Sequence, residues 1–280
     1  MLNFKESIKK IQKIKTQSYC LIIGGEGTNK ARSPKIWNKI LYKNKINCKM
    51  IPLEVKKNQL KLLLDYLKKD KKFLGGSITK PYKEIVFNYL GKNIDVPTKK
   101  IGSVNCLFKK KTMMGINTDG IGFFKTLKNN NINKNYKNIL TLGYGGAGKS
   151  ILVYLKKYFS TKTKIYCSIR KNNSKLIKKN GGTWISWKNK DIFLKKYNMI
   201  INTTSLGFGK MQKKTPIRIS KSNELKIVYD VIYNPNETTL LKNANKLGIR
   251  TINGLDMNIF QAYFAIKKVF GNKVKIKNFN

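Results

Sequence analysis

Apolar residues along this 280-residue chain gather in short runs separated by amphipathic stretches. Ser18–Gly24 is a compact apolar run, and Cys48–Leu53 and Phe73–Thr79 repeat the pattern. Runs of this length, bounded by turn residues, predict buried strands of a parallel sheet. Between them the spacing becomes helical. Ser33-Pro34 reads as an N-cap and first helical position, continued by Trp37, Ile40 and Leu41, and Leu60–Leu67 predicts a second helix. Phe4, Ile8, Ile11 and Ile14 mark Met1–Lys15 as a peripheral amphipathic start, and the glycines of Gly24–Lys30 predict a flexible loop. The third strand runs into Lys80-Pro81-Tyr82-Lys83-Glu84, a Pro-started helix that places side chains at a strand's carboxyl end, where α/β sheets bind ligands. Gly91–Ile101 reads as a polar connection, followed by short strands at Ser103–Phe108 and Met113–Ile116.

Strand–helix alternation of the doubly wound kind resumes from Ile139. Its strands are predicted at Ile139–Leu142, Ile165–Ser168, Thr183–Trp187, Met199–Asn202, Ile227–Val231 and Arg250–Ile252. The helix beginning near Phe123 and Phe124 links two domains. The last helix, Asp256–Phe270, is apolar at Met257, Phe260, Phe264 and Ile266 among others, so it is expected to pack back on the first domain. The predicted organisation is an α/β domain over residues 1–120, completed by the helix at about 256–271. A second domain follows over 121–255, and a basic tail over 272–280.

The stretch Asn138–Ser150 organises the second domain. An apolar run ends at Gly143-Tyr144-Gly145-Gly146-Ala147-Gly148-Lys149-Ser150, and a helical pattern follows. Such a turn offers backbone N–H groups and the positive end of a helix to a phosphate. Two readings compete. Gly143 to Ser150 formally completes a P-loop. It also fits a dinucleotide turn, in which Gly143 turns the chain, Gly145 admits a pyrophosphate and Ala147 packs helix on sheet. The next strand ends in Ser168-Ile169-Arg170-Lys171, cations where a 2′-hydroxyl reader would want an acid, which suits NADP over NAD. A P-loop enzyme would want a later strand ending in an acidic metal ligand, a part open to Asp230.

Composition narrows the chemistry. Lys+Arg number 59 against 13 Asp+Glu, a formal charge of +46. The lysines are scattered, which reads as solvated surface; a cationic surface binds polyanions non-specifically, but no zinc-finger or ribonucleoprotein pattern accompanies it, so no specific nucleic-acid partner is expected. There is no histidine, which removes Ser-His-Asp and Cys-His arrangements and the usual zinc ligand. Cys20, Cys48, Cys106 and Cys167 stand far apart, without metal-ligand spacing, so free thiols and no metal are expected. No apolar run reaches membrane-spanning length and no secretory segment is seen, so the expected location is cytoplasmic.

Lys83 and Asp119 are the candidate chemical pair. Each follows a predicted strand in a Gly/Pro/Asn/Thr setting that makes poor core material. An ammonium can donate to a carbonyl oxygen as it gains charge, and an aspartate can hold a substrate hydroxyl. The plainer alternative is a surface lysine and a turn aspartate.

The local strings bear on that choice. Ser77-Ile78-Thr79-Lys80-Pro81-Tyr82-Lys83-Glu84, Val104-Asn105, Asn117-Thr118-Asp119-Gly120 and Gly143–Ala147 occur in order, followed by Asn202-Thr203-Thr204-Ser205-Leu206-Gly207, Tyr229–Tyr233 and Gly254-Leu255-Asp256-Met257 with Gln261. From about Tyr19 to Gly271 the chain resembles the shikimate dehydrogenase family. The resemblance makes Gly148-Lys149-Ser150 ordinary helix sequence. It implies an N-terminal α/β substrate domain and a doubly wound, Rossmann-type NADP domain with a cleft between them. It also implies NADPH-dependent reduction of 3-dehydroshikimate to shikimate, a small anionic cyclic hydroxy acid, by a monomer or homodimer. By the same resemblance Lys83 donates and accepts the proton with Asp119 beside it. Asn105, Thr79 and Gln261 hold ring hydroxyls, Ser33 binds the carboxylate and Tyr233 lines the pocket. Gly143, Gly145, Gly146 and Ala147 form the nucleotide turn, Arg170 and Lys171 meet the adenosine phosphate, and Thr203, Ser205 and Gly254 serve the nicotinamide region. The chain departs from the family pattern at Ala31, where a carboxylate-binding serine is usual, at Ser77, where an asparagine is usual, at Lys80, and at Ile169 and Lys171, which flank Arg170 where asparagine and threonine are usual. These departures leave open a relative acting on another cyclic hydroxy acid or polyol.

Overall fold

Leu60, Leu63, Leu64 and Leu67 fall at i, i+3, i+4 and i+7, and each is at most 1% exposed. One stripe of a helix is thus buried while Lys61 and Asp65 between stay in water. The same logic runs through the computed structural model, which describes residues 1–192 and 194–275. The chain forms two compact units, Met1–Thr118 together with the residues from Gln261 on, and Asp119–Phe260.

The first unit runs α1 (Phe4–Gln12), β1 (Ser18–Gly24), α2 (Ser33–Lys43), β2 (Cys48–Glu54), α3 (Leu60–Lys69), β3 (Phe73–Ile78), α4 (Lys83–Leu90), α5 (Val96–Ile101), β4 (Cys106–Lys109) and β5 (Met113–Ile116). The strands form one sheet in the order β2-β1-β3-β4-β5. β1 pairs parallel with β2 and β3, and β4 and β5 are added antiparallel. Tyr19, Leu21 and Ile23 enter a core with the leucines of α3. Cys20 and Cys48 enter another with Trp37, Cys106, Ala262, Ala265, Ile266 and Phe270. The last four residues come from the second half of the final helix, which therefore completes this unit as its apolar face predicts. The fold also brings the Cys20 and Cys48 sulfurs to 3.8 Å, a neighbourhood invisible in their sequence separation.

Three local expectations change. Arg32, already helical in φ and ψ, precedes the first turn of α2, so Ser33 is a buried helical residue and not the cap. The predicted flexible loop contains a 3₁₀ turn, Thr28–Lys30, secured by Thr28 Oγ1 donating to the Gly25 carbonyl at 2.7 Å. The connection at 91–101 contains α5, which Asp95 caps by accepting from the Thr98 N–H at 3.0 Å.

The second unit runs α6 (Asp119–Asn129), β6 (Asn138–Leu142), α7 (Gly146–Tyr158), β7 (Lys164–Ile169), α8 (Ser174–Lys179), β8 (Thr183–Ser186), β9 (Met199–Asn202), β10 (Ile227–Asp230), α9 (Thr239–Asn245), β11 (Arg250–Ile252) and the first part of α10 (Leu255–Phe270). Its six strands are parallel in the order β11-β10-β9-β6-β7-β8. That is the doubly wound arrangement, with the reversal of strand order between β6 and β9. Ile139, Met199, Ile201, Ile227 and Tyr229 pack on one face with α6 and α7 residues. Leu140, Leu142, Ile200 and Val228 pack on the other with Leu240 and Leu241. Burial of these strands on both faces is why their sequences run apolar without alternation. β8 ends at Ser186, and Trp187 begins a 3₁₀ turn instead of closing the strand. The basic tail begins inside a 3₁₀ turn, Gly271–Lys273, and its residues 276–280 lie outside the described residues.

Candidate active site

Each sheet has a topological switch point, where two neighbouring strands flank the reversal of strand order. In the first unit these are β1 and β3. The Thr79 N–H donates to the Ile23 carbonyl at 2.9 Å and the Gly25 N–H to the Lys80 carbonyl at 3.2 Å, which joins the two strand exits. The Lys80–Pro81 peptide is cis. Tyr82 is buried and donates from its hydroxyl to the Val55 carbonyl, which fixes the entry to α4. Lys83 is the first residue of α4, half-buried, and its carbonyl accepts from the Val104 N–H at 2.9 Å. The residue that follows, Asn105, is 3% exposed and sits beside the end of β3, with its carbonyl accepting from the Ile78 N–H.

Asn105 anchors a buried amide–hydroxyl cluster. Its Oδ1 accepts from the Thr118 N–H at 2.7 Å and from the Thr118 hydroxyl at 3.1 Å. The Gln261 Oε1 lies 3.4 Å from Asn105 Nδ2 and 3.3 Å from Thr118 Oγ1. Buried amides held in this way have fixed donor and acceptor faces, suited to reading the hydroxyls of a ring. Thr118 is the member that residue-by-residue prediction passed over. Asn117 donates from Nδ2 to the Ser103 carbonyl at 2.9 Å and from its backbone N–H to Thr98 Oγ1 at 2.7 Å. The segment entering Asp119 is thus secured from both sides. Asp119 itself is buried and opens α6, in the second unit. Ser33 is buried at the start of α2. Ser77 is also buried, and its hydroxyl finds no hydrogen-bond partner among the described residues.

In the second unit the switch point lies between β6 and β9. Gly143 leaves β6 at φ +99°, a conformation that glycine adopts without steric cost. Gly145 precedes α7, and a side chain there would meet open space. Gly148 makes a close approach to the neighbouring strand's exit, where a Cβ would lie 2.7 Å from Thr203 Oγ1 and 2.8 Å from the Gly143 carbonyl. Thr203 donates from both N–H and hydroxyl to the Leu142 carbonyl at 2.9 Å, which ties the β9 exit to the β6 exit. A cavity of about 330 Å³ opens here, lined by Gly143, Ile169, Arg170, Trp187, Ser205 and Met211 among others. Arg170 is exposed, and its guanidinium lies 6.0 Å from the centre of the Trp187 ring. Lys171 is exposed beside it, and Lys190 approaches the same ring at 5.1 Å. Nothing in the local sequence marks Trp187. The glycine turn, the helix start at Gly146 and the exposed guanidinium fit a dinucleotide phosphate.

The P-loop alternative fails here. Ser150, which would have to reach a metal, has no exposed surface and belongs to α7. Asp230, which would be its acidic partner, is equally buried and occupied by uncharged donors: Asn202 Nδ2 at 3.1 Å, the Ile232 N–H at 3.0 Å and Thr238 Oγ1 at 2.8 Å. Burial raises its carboxyl from 3.8 to about 6 against the opposing effect of these donors. On the neighbouring exit the Gly254 N–H donates to the carbonyl of Ile232, the residue before Tyr233, at 3.1 Å. No helix among the described residues is long and apolar enough to cross a membrane.

Comparison with known proteins agrees with this geometry. The family profile for the shikimate dehydrogenase substrate binding domain matches residues 23–107. A shikimate dehydrogenase (NADP(+)) of Clostridium botulinum is 35% identical over 248 residues, which span 86% of this chain and 93% of that one. The corresponding protein of Methanococcus vannielii is 31% identical over 259 residues, 89% and 90% of the two chains. Among solved structures, a chorismate mutase/shikimate 5-dehydrogenase fusion protein from Clostridium acetobutylicum aligns with a TM-score of 0.80 at 31% identity, over 94% of this chain and 93% of that one. A shikimate dehydrogenase solved in complex with NADP+ aligns at 0.79 and 28% identity, over 91% and 90%. With two switch points, a buried amide–hydroxyl cluster and relatives of this identity and extent, the chain belongs to the shikimate dehydrogenase family.

Proposed function

We propose that this chain catalyses the reversible, NADP-dependent reduction of 3-dehydroshikimate to shikimate. The observation that carries the reading is the Asn105–Thr118–Gln261 cluster, a set of fixed polar faces at the carboxyl end of β3 next to the backbone of Lys83. The first unit is then the substrate domain and the second the dinucleotide domain.

Asn105, Thr79 and Gln261 hold the ring hydroxyls, Ser33 the carboxylate, and Tyr233 lines the pocket. Gly143, Gly145, Gly146 and Ala147 leave room for the pyrophosphate at the start of α7. Arg170 and Lys171 meet the 2′-phosphate, and Thr203, Ser205 and Gly254 border the nicotinamide. When bound, the nicotinamide supplies the hydride. The chain supplies orientation, and Lys83 donates a proton from Nζ to the oxygen that gains charge, while Asp119 holds the adjacent hydroxyl. No histidine is needed for this division of labour. The strongly cationic chain favours an anionic substrate and cofactor, and its charge reads as solvated surface, with no specific nucleic-acid partner.

The test is steady-state turnover with shikimate and NADP, set against quinate and NAD. High turnover on the first pair supports the reading. Ala31 and the partnerless Ser77 hydroxyl favour a second reading, a relative specific for another cyclic hydroxy acid. Preference for quinate would select it, and inactivity with every such acid would end both.

A further inference from the structure

Asn202 and Asp230 end adjacent parallel strands and are register partners. Both are fully buried. Each makes more hydrogen bonds than strand pairing requires, and the bonds reach outward to the loops that follow. Asn202 Oδ1 accepts from the Thr204 N–H at 2.9 Å and the Thr204 hydroxyl at 2.7 Å, and its Nδ2 lies 3.1 Å from both the Leu206 carbonyl and Asp230 Oδ1. Thr204 Oγ1 in turn accepts from the Leu206 N–H at 3.1 Å. Asp230 Oδ1 also takes the Ile232 N–H, and Oδ2 takes the hydroxyl of Thr238, the residue that caps α9. Thr204, Ser205 and Leu206 form one wall of the 330 Å³ cavity. Ile232 carries the Gly254 N–H.

We propose that Asp230, acting through Asn202, is a positioning residue that sets the shape of the dinucleotide pocket without touching the dinucleotide. The proposal rests on the reading of that pocket given above. A carboxylate suits the task because it accepts from three directions, and an alanine would leave three buried donors unpaired. Asparagine keeps Oδ1 and offers Nδ2 to Thr238 Oγ1, so it should hold the loops nearly as well.

Calorimetric titration of NADP into the full-length protein, together with separate KM values for NADP and shikimate, tests it. Asp230→Ala should weaken NADP binding by about tenfold or more, with the KM for shikimate within about twofold, while Asp230→Asn should stay within about threefold of the wild type. A folded Asp230→Ala with unchanged NADP affinity, or with both KM values rising together, overturns the proposal. Should that variant fail to fold, Thr238→Val removes one donor and keeps the carboxylate; a loss of about two- to fivefold in NADP affinity is expected, and no loss overturns the proposal equally. The two readings separate in the wild type. NADP binding without turnover of shikimate ends the proposed reaction and leaves the positioning role to the variants, whereas failure to bind NADP ends both.

Discussion

The two switch points solve different recognition problems with different materials. At the end of β3 the side chains are neutral, buried and bonded to one another: Asn105 and Thr118 are 3% and 2% exposed. At the end of β6 the groups on offer are backbone N–H groups around glycine and exposed cations such as Arg170 and Lys171. Buried amides discriminate sharply, because a ligand lacking the right hydroxyl leaves them unpaired. Exposed cations bind a phosphate by charge, so their contribution should fall with salt. On the proposed function, substrate choice therefore belongs to the first unit, and cofactor choice rests on an interaction that is easier to retune.

Lys83→Ala should have the largest effect. The loss of kcat is expected at about 10²- to 10⁴-fold, the usual span for a general acid–base group. NADP affinity, measured by titration, should remain, since Lys83 belongs to the first unit. A variant with near-normal turnover would reduce Lys83 to a helix-start lysine.

The second effect is on stability. Burial raises the Asp230 carboxyl from 3.8 to about 6. A raised carboxyl contributes stability that is full below pH 3.8 and is lost as pH rises through about 6. The change corresponds to at most about 3 kcal/mol. Tyr229 shares its surroundings, but burial pushes that phenol far above this window, so it stays neutral. In urea titrations, Asp230→Asn should therefore gain on the wild type between pH 4 and pH 7. A constant difference across that range would mean that Asp230 titrates as an ordinary carboxyl.

Asn105→Ala should follow. Removing the acceptor from Thr118 and the donor toward Gln261 costs about 1–3 kcal/mol, read as a KM for shikimate raised by about five- to 150-fold with the KM for NADP unchanged. Equal rises in both would deny the separation of roles between the two sheets.

Much of this fold is written along the chain, because burial on both faces leaves continuous apolar runs and burial on one face leaves a helical stripe. β1, β9 and α3 are read directly for that reason. α5 escaped because its six residues carry no apolar stripe, with Val96 exposed and Ile101 buried, although Asp95 and Pro97 were a legible start. Lys83, Asp119 and the glycine turn stand in local strings. Asn202 and Asp230 also stand in such strings, yet their partnership depends on β9 lying beside β10, which no local pattern states. Trp187 was assigned to a strand by its apolar character, and only the end of pairing at Ser186 turns it toward the cavity.

The smallest effects concern cofactor choice, and they sharpen the comparison most directly. Arg170→Ala should raise the KM for NADP by about three- to tenfold and leave that for NAD unchanged, with the difference shrinking at high salt. Trp187 offers its face to both Arg170 and Lys190. A cation over an indole at a partly exposed position is worth about 0.5–1 kcal/mol. Trp187→Leu keeps apolar bulk and removes that attraction, so it should cost about two- to fivefold in NADP affinity, again with no effect on NAD. If Arg170→Ala and Trp187→Leu together lose no more than Arg170→Ala alone, the indole acts by holding the guanidinium. If their losses multiply, Trp187 contributes by itself, and cofactor choice in this unit depends on packing as well as on charge.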